Sequence, residues 1–191
     1  MRGEDPGRER GFTLTELMVT VAIIGVLVAL GVTLLRASPQ PVDVASQVSS
    51  KLAETSRKAV SYGAVRGDVA AALGSRARMR AVFTASASGV TVAIDRLEEE
   101  PFPSTAASWV PLSSAPLHAS VTLAGYTPAA VLAGGGAPTV AVGASGTFEV
   151  RCYPDGTCDG VTVYLVNRNG ARKARVVVLP LGGTPMTFDS W

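Results

Sequence analysis

The sequence predicts an α+β protein in which a long N-terminal helix precedes a β-rich head of antiparallel sheets. Three observations support this fold class. Residues 12–35 are almost entirely apolar, residues 44–62 place apolar side chains at helical spacing, and several later segments alternate apolar with polar residues. Apolar residues at every third or fourth position favour a helix, whereas strict alternation favours a strand.

The composition of the chain limits its size but leaves its function open. Its 191 residues suffice for a membrane anchor followed by one compact domain. The net charge is only +2, so charge over the whole molecule does not indicate a nucleic-acid or strongly acidic partner. Function must therefore be inferred from local motifs.

The apolar run over residues 12–35 is long enough to span a membrane. As a helix it would measure roughly 36 Å, against a hydrocarbon core of about 30 Å. A secretory signal peptide has a shorter apolar core, of about 7 to 15 residues. A third alternative is a buried helix of a soluble domain, which is disfavoured because apolar residues occupy all faces of the segment. We therefore expect a single transmembrane helix.

Glu16 is the one charged residue inside this run, about one helical turn from its start. A carboxylate at membrane depth usually has a cationic partner. The next Lys or Arg along the chain is Arg36, at the far end of the helix. The cation must then come from the N-terminal side or from another chain. Alternatively, Glu16 stabilises the N-terminus of its own helix, where the macrodipole favours an anion; both roles can coexist.

The stretch RGFTLTELMVTVAIIGVLVAL resembles the N-terminal signal of type IV pilins and of the pseudopilins of type II secretion. In those families a short hydrophilic leader is followed by Gly, Phe, Thr-Leu-x-Glu and a long apolar helix. The resemblance implies that a prepilin peptidase cleaves between Gly11 and Phe12 and methylates the new amine of Phe12. It also implies that Glu16 pairs with the N-terminal amine of a neighbouring subunit during filament assembly, and that the fold is pilin-like.

This resemblance and the sequence pattern divide the chain into four segments. We expect residues 1–11 to be a cleaved leader, residues 12–35 a transmembrane and filament-core helix, residues 36–63 an amphipathic continuation after a Pro kink, and residues 64–191 a β-rich head domain. Because Arg8 and Arg10 flank the apolar run, the positive-inside rule places the leader in the cytoplasm. We therefore expect a bacterial inner-membrane protein with a periplasmic head that enters a pilus or pseudopilus after processing.

The amphipathic segment begins after Pro39 and Pro41, which predict a kink or a short break. Asp43 is a candidate N-cap, and Gly63 is a candidate C-cap. Residues 64–75 fit either a loop or a short helix. The predicted apolar stripe comprises Val44, Val48, Leu52, Thr55, Ala59 and Tyr62.

Alternating segments predict a hairpin over residues 77–94 and a second hairpin near the C-terminus, over residues 161–179. Residues 98–146 are rich in Pro, Ser, Ala and Gly, so we expect long loops there. Glu98–Glu100 is expected to be a solvated loop. The strands assigned within or beside this region are Ser120–Leu123, Thr139–Val142 and the segment from Phe148 to Val150.

The tail GTFEVRCYPDGTCDGVTVYLVNRNGARKARVVVLP resembles the C-terminal domain of GspH/FimT-type minor pseudopilins and minor pilins. Within it, Cys152 and Cys158 flank a Pro-Asp-Gly turn, and a periplasmic location favours a disulfide between them. The rival is a metal site, which would need further ligands. The one histidine, His118, is far away in sequence, so we expect no metal.

No catalytic arrangement stands out in the sequence. His118 with some Ser and Asp could be imagined as a triad, but the chain has no G-x-S-x-G elbow. It also has no phosphate-binding loop or dinucleotide fingerprint. We therefore expect a protein that is not an enzyme and needs no cofactor.

The local basic cluster comprises Arg168, Arg172, Lys173 and Arg175, on the terminal hairpin. Such charges usually solvate one face of a strand. Some minor pilins of this type look like DNA-binding subunits for uptake, so these four are also candidate DNA-binding residues. Binding through phosphates would weaken steeply with salt.

Together these features predict a minor pilin of a type IV pilus, a non-enzymatic subunit whose assembly is guided by Glu16 and the Phe12 amine. Its expected partners are other pilins, the prepilin peptidase and the inner membrane. The alternatives are a minor pseudopilin of type II secretion in protein export, a DNA-binding minor pilin for DNA uptake, and a plain single-pass membrane protein that keeps its leader.

Overall fold

The computed structural model describes residues 13–35, 39–134, 136–143 and 145–191, with the side chains of residues 31–35 left aside. The chain divides into two compact units, Met1–Ser38 and Pro39–Trp191. The second unit contains an amphipathic helix together with both sheets. The compact unit thus begins at Pro39, before the predicted head boundary at residue 64.

The first unit is described by helix α1, Leu14–Leu35. Its large apolar side chains between Leu14 and Leu30 are 53 to 77% exposed. Within the described residues, no helix combines the length and the apolarity needed to cross a membrane. Phe12 and the side chains of residues 31–35, which the prediction included, lie outside that part of the chain. The predicted transmembrane span is therefore not confirmed.

Helix α2, Pro41–Tyr62, begins after the predicted break. Its N-cap is Gln40 and not Asp43, because Pro41 occupies the first helical position, where a missing N–H costs nothing. Asp43 lies one turn inside and accepts a hydrogen bond from the Gln40 backbone N–H at 2.9 Å. Gly63 ends the helix with φ of 71°, as the sequence predicted.

One face of α2 is buried against β strands, and the predicted stripe accounts for most of it. Five of the six predicted positions are buried: Val44, Val48, Leu52, Thr55 and Ala59. The sixth, Tyr62, is more than one third exposed, because the helix ends there. A short helix, α3 (Gly67–Leu73), follows and ends at Gly74 in the left-handed conformation.

The remaining described elements are antiparallel strands. They are β1 (Met79–Ser86), β2 (Gly89–Glu99), β3 (Ala107–Pro116), β4 (Val121–Thr127), β5 (Val140–Ala141), β6 (Thr147–Cys152), β7 (Val161–Asn167), β8 (Lys173–Val178) and β9 (Met186–Phe188). One sheet has the order β3-β2-β1-β6, and the other has the order β5-β4-β7-β8-β9. This arrangement confirms the predicted fold class of a helix followed by antiparallel sheets in a head.

A single hydrophobic core joins α2 to both sheets. Three aromatic rings stack within it: Phe83 lies 4.6 Å from Phe148, and Phe148 lies 4.3 Å from Tyr126, between ring centroids. Phe83 and Phe148 belong to the first sheet and Tyr126 to the second. The stack therefore contributes to holding the sheets together, since offset aromatic pairs add to the effect of area burial.

The expectation of loops over residues 98–146 is wrong in one part. Glu98 and Glu99 end strand β2, and β3 pairs alongside them. Glu99 is not solvated, because it forms an ion pair with Arg78 and its side chain is 13% exposed. Strand β3 owes its conformation to pairing with β2, a long-range interaction that its Pro- and Ser-containing sequence did not indicate.

The turn between β2 and β3 is held at both ends by Arg66. Its guanidinium donates to the Glu100 carbonyl at 2.8 Å and to the carbonyl of Ser104. The Ser104 backbone N–H also donates to the carbonyl of Pro101 at 3.1 Å. Phe102, at the tip, is 81% exposed. Hydrogen bonds thus hold both ends of the turn, while the aromatic side chain at its tip is exposed.

Candidate functional site

Glu16 lies in a hydrogen-bonded cap at the start of α1. The backbone N–H and the hydroxyl of Thr13 donate to Oε2 of Glu16 at 2.9 and 3.0 Å. The Glu16 backbone N–H donates back to the Thr13 hydroxyl at 3.3 Å. This is a capping box, in which a Thr N-cap and a Glu three residues later satisfy each other's orphan groups. The structure thus supports the second interpretation of Glu16, as a stabiliser of its own helix.

The hydrogen bonds of the cap use only part of the acceptor capacity of the Glu16 carboxylate. A carboxylate offers two acceptor oxygens with about four lone-pair sites, and both bonds from Thr13 end on Oε2. Capping and pairing with an amine are therefore chemically compatible. Gly11 and Phe12, the predicted cleavage and methylation residues, lie outside the described residues, so those roles stay predictions.

Cys152 and Cys158 are joined by a disulfide, as the sequence predicted. The intervening turn is closed by backbone hydrogen bonds from Tyr153 to Thr157 at 2.8 Å and from Gly156 to Tyr153 at 3.0 Å. Gly156 has φ of 86°, a left-handed conformation that glycine adopts without strain. The Pro-Asp-Gly sequence therefore predicted this turn for the right physical reason.

The disulfide loop is fastened to neighbouring elements. Ser56 of α2 donates its hydroxyl to the Gly156 carbonyl at 3.0 Å. Tyr153 donates its hydroxyl to Asp159 at 2.9 Å, and partial burial together with this bond raises the pKa of Tyr153. Hydrogen bonds from Thr157 lower the pKa of Asp155. These interactions fasten the loop to α2 and to the residues that flank it.

A cavity of about 610 Å³ lies between the α3 region and the disulfide loop. Its lining consists mainly of small residues, with Ser75, Arg76, Tyr153 and Asp155 as the polar contributors. None of these pairs a nucleophile with a base, which acyl or phosphoryl transfer would require.

His118 takes part in a local turn. Its Nδ1 lies 2.8 Å from the Ser120 hydroxyl and accepts the Ser120 backbone N–H at 3.2 Å. The Ser120 hydroxyl in turn donates to the Pro39 carbonyl at 3.2 Å. Among the described residues, no group of three His, Cys, Asp or Glu side chains could hold a metal ion.

The four predicted basic residues do not form one exposed patch. Arg168, Arg172 and Lys173 are exposed, but Arg175 is only 6% exposed. Its guanidinium donates to the Leu132 carbonyl at 3.2 Å and lies 4.5 Å above the ring of Phe188. The predicted four-residue cluster is therefore reduced to three, because both faces of β8 are covered beyond its first residue.

The three remaining cations surround the turn between β7 and β8. Asn167 fixes this turn, accepting the Arg172 backbone N–H on its side chain at 3.0 Å. Gly170, with φ of 73°, donates to the Asn167 carbonyl at 2.9 Å. The Lys173 ammonium lies 4.1 Å from the centroid of the Trp191 ring. The turn is thus a defined structure that carries three charges.

An ion-pair network on the first sheet was missed by sequence reasoning. Arg80 pairs with Asp95 at 2.9 Å and with Glu149 at 2.8 Å, and its guanidinium lies 4.5 Å from the Trp109 ring centroid. Burial raises the pKa of Glu149, but hydrogen bonds and charge from Arg151 and Arg80 outweigh it, so the net pKa is lowered. Alternation along β1 indicated a polar face, yet its acidic partners come from other strands.

Comparison with known proteins gives one family match. The family model described as the prokaryotic N-terminal methylation motif matches residues 6–32, a segment that contains Gly11, Phe12 and Glu16. No curated protein matches the chain.

A solved structure similar to this chain is that of the minor pseudopilin EpsH from the Type 2 Secretion System of Vibrio cholerae. It shares 11% sequence identity, with a TM-score of 0.47, over 79% of this chain and 98% of that chain. The methylation motif, followed by a helix and antiparallel sheets, supports the predicted resemblance of this chain to type IV pilins and pseudopilins.

Proposed function

We propose that this protein is a minor pilin of a type IV pilus, a structural subunit that a prepilin peptidase processes between Gly11 and Phe12. The observation that carries the proposal is the methylation motif over residues 6–32, which contains the cleavage residues and Glu16. The alternative is a minor pseudopilin of type II secretion, because both machines read the same N-terminal signal.

The chemistry of assembly follows from α1. Cleavage leaves a methylated amine on Phe12, which stays cationic and lies at the end of an apolar helix. A cation next to a carboxylate in a low dielectric is strongly attracted, and this attraction offsets part of the desolvation cost of the two charges. The Glu16 carboxylate of one subunit and the Phe12 amine of its neighbour therefore set the register of two helices.

The exposed apolar side chains of α1 supply the second driving force. They lie between Leu14 and Leu30 and are more than half exposed in the single chain. When such helices bundle, these side chains pack against one another, and the packing density of a protein interior replaces looser contacts. The charge pair then selects the register and the apolar faces hold it, while the head stays outside the filament core.

The first test is the intact mass of the chain purified from its native membranes, with fragmentation of its N-terminus. We expect a chain that begins at methylated Phe12. A chain that still carries residues 2–11 in cells with active prepilin peptidase would refute the proposal and favour a plain membrane-anchored domain.

A second test separates assembly from helix capping. Glu16→Gln removes the charge, and we expect the amount of subunit in sheared filaments to fall by about tenfold, the effect of losing one ordinary charge interaction. Thr13→Val is the matched control, since it removes the hydroxyl that bonds Glu16 and leaves the carboxylate in place. Equal losses in both variants would show that capping, and not pairing between subunits, is what assembly requires.

The choice of machine needs a third measurement. Deletion of the gene should remove surface pili and leave secretion of folded exoproteins unchanged. Loss of exoprotein secretion with normal pili would replace the type IV pilus by type II secretion in this proposal.

A further inference from the structure

Exposed cations of the second unit differ in whether they have an acidic partner. Seven of the Lys and Arg residues in the described part of the chain form ion pairs: Lys51, Lys58, Arg66, Arg78, Arg80, Arg96 and Arg151. No ion pair is formed by Arg168, Arg172 or Lys173 within the same described residues, and all three are exposed. We call these three residues the basic turn. Their charge is available to a partner.

The basic turn lies beside the first residues of the second unit. A cavity of about 370 Å³ is lined by Gln40, Pro41 and Val42 on one side and by Arg172, Lys173 and Trp191 on the other. The Arg168 backbone N–H donates to the Ser120 carbonyl at 3.2 Å, and the Ser120 hydroxyl donates to the Pro39 carbonyl. Pro39 is the residue through which this unit continues into residues 36–38 and α1. Arg172 and Lys173 therefore lie at a cavity that the first residues of the second unit also line, and the Arg168 backbone is linked to Pro39 through Ser120.

The same end carries an aromatic residue suited to an interface between water and lipid. Trp191 is partly buried, donates its indole N–H to the Leu165 carbonyl at 3.3 Å and packs edge-on against Tyr164. Lys173 covers its ring. Trp together with Lys and Arg is the combination enriched where proteins meet lipid headgroups. One acid, Asp189, also lines the cavity and reduces the positive charge without cancelling it.

We propose that the basic turn binds an anionic lipid bilayer and holds the head at the membrane surface before assembly. The partner is inferred from the charge of the turn, from its position at the attachment point and from the exposed apolar side chains of α1, which require apolar surroundings. Juxtamembrane Lys and Arg strengthen binding to an anionic surface by about fivefold each, through charge attraction that falls off within a Debye length. The inference rests on the proposed function, and it adds that α1 lies in a bilayer before assembly.

Duplex DNA is the competing partner for the same charges. Three cations on one short turn can neutralise only about three phosphates, and the affinity that a protein gains from the DNA backbone grows with the number of phosphates it neutralises. The burial of Arg175 removes the fourth candidate. The structure therefore favours an anionic bilayer over duplex DNA as the partner of the basic turn.

The experiment measures amide hydrogen exchange of the full chain in nanodiscs, with phosphatidylglycerol mixed into phosphatidylcholine or with phosphatidylcholine alone. We expect exchange in residues 167–173 to slow by about fivefold or more only in the anionic discs, and the protection to disappear at high salt. Equal exchange in both discs would overturn the inference. Protection by duplex DNA, with none from anionic lipid, would replace the bilayer by DNA.

Two variants make the test specific. The triple charge reversal R168E/R172E/K173E should lose the lipid-dependent protection. The matched control is R57E/R76E, which reverses two exposed cations on other elements that also form no ion pair in the described chain; it should keep the protection. A thermal unfolding curve for each variant shows whether the head is still folded. N-terminal methylation is measured in the same preparation, so a methylated chain without lipid-dependent protection refutes this inference and leaves the proposed function standing.

Discussion

The two sheets differ in how an arginine on a strand is surrounded. On the first sheet, Arg80 lies among Asp95, Glu149 and the ring of Trp109, so its charge is neutralised by acids on neighbouring strands. On the second sheet, Arg175 has a carbonyl and a phenyl ring as partners and is almost fully buried. The difference teaches that a charged residue on a strand does not by itself indicate an exposed, binding-competent face.

The largest expected effect is on the second sheet, where substitution of Arg175 should change the free energy of unfolding. Arg175→Ala removes a long side chain from beneath Phe188, and we expect the free energy of unfolding to fall by about 3 kcal/mol, as for other large truncations in a packed site. Arg175→Met keeps the length and removes the buried charge, so it should change stability by less than about 1 kcal/mol or increase it. Urea unfolding measures both. If methionine costs as much as alanine, the guanidinium charge matters more than its packing.

On the first sheet, Arg80→Met leaves Asp95 and Glu149 without the cation that both of them contact. Asp95 has a side chain only 11% exposed, so its uncompensated charge should lower the free energy of unfolding by about 2 kcal/mol. Arg151→Met is the control, because Arg151 is 45% exposed and pairs with the same Glu149. It should cost less than about 1 kcal/mol. Equal costs for both variants would mean that burial does not distinguish the two pairs.

The smallest expected effect is a pH dependence. The folded protein lowers the pKa of Glu149 below its ordinary value of 4.5, so the stabilisation is present above that value and is lost as pH falls through the folded pKa. At pH 7, Glu149→Gln should be less stable than wild type by about 1 kcal/mol, a typical net value for a partly buried charged hydrogen bond. The difference should shrink below pH 4. A difference that grows on acidification would contradict the assigned direction.

Local sequence signals predicted the parts of the fold that local interactions determine. The apolar stripe of α2, the β1–β2 hairpin and the disulfide turn each follow from spacing or turn chemistry over a few residues. The Thr13–Glu16 cap is equally local, since its partners are three residues apart. The alternative in which Glu16 stabilises the start of its own helix is therefore the part of the candidate site that the local sequence predicts.

Features that depend on distant partners could not be predicted. Strand β3 exists because β2 extends to Glu99 and offers it a neighbour. Arg175 is buried because Leu132 and Phe188, each from another part of the chain, cover it. The number of cations at the basic turn therefore depended on tertiary packing, which the hairpin sequence alone does not encode.

The turn between β2 and β3 offers a practical way to locate this subunit. Arg66 bonds both ends of the turn, and Phe102 at its tip is 81% exposed. A short epitope or a fluorophore placed at Phe102 would project from the head while the sheet beneath keeps its pairing. Such a tag gives microscopy a label on the head, with which copies of the protein can be counted and located in cells.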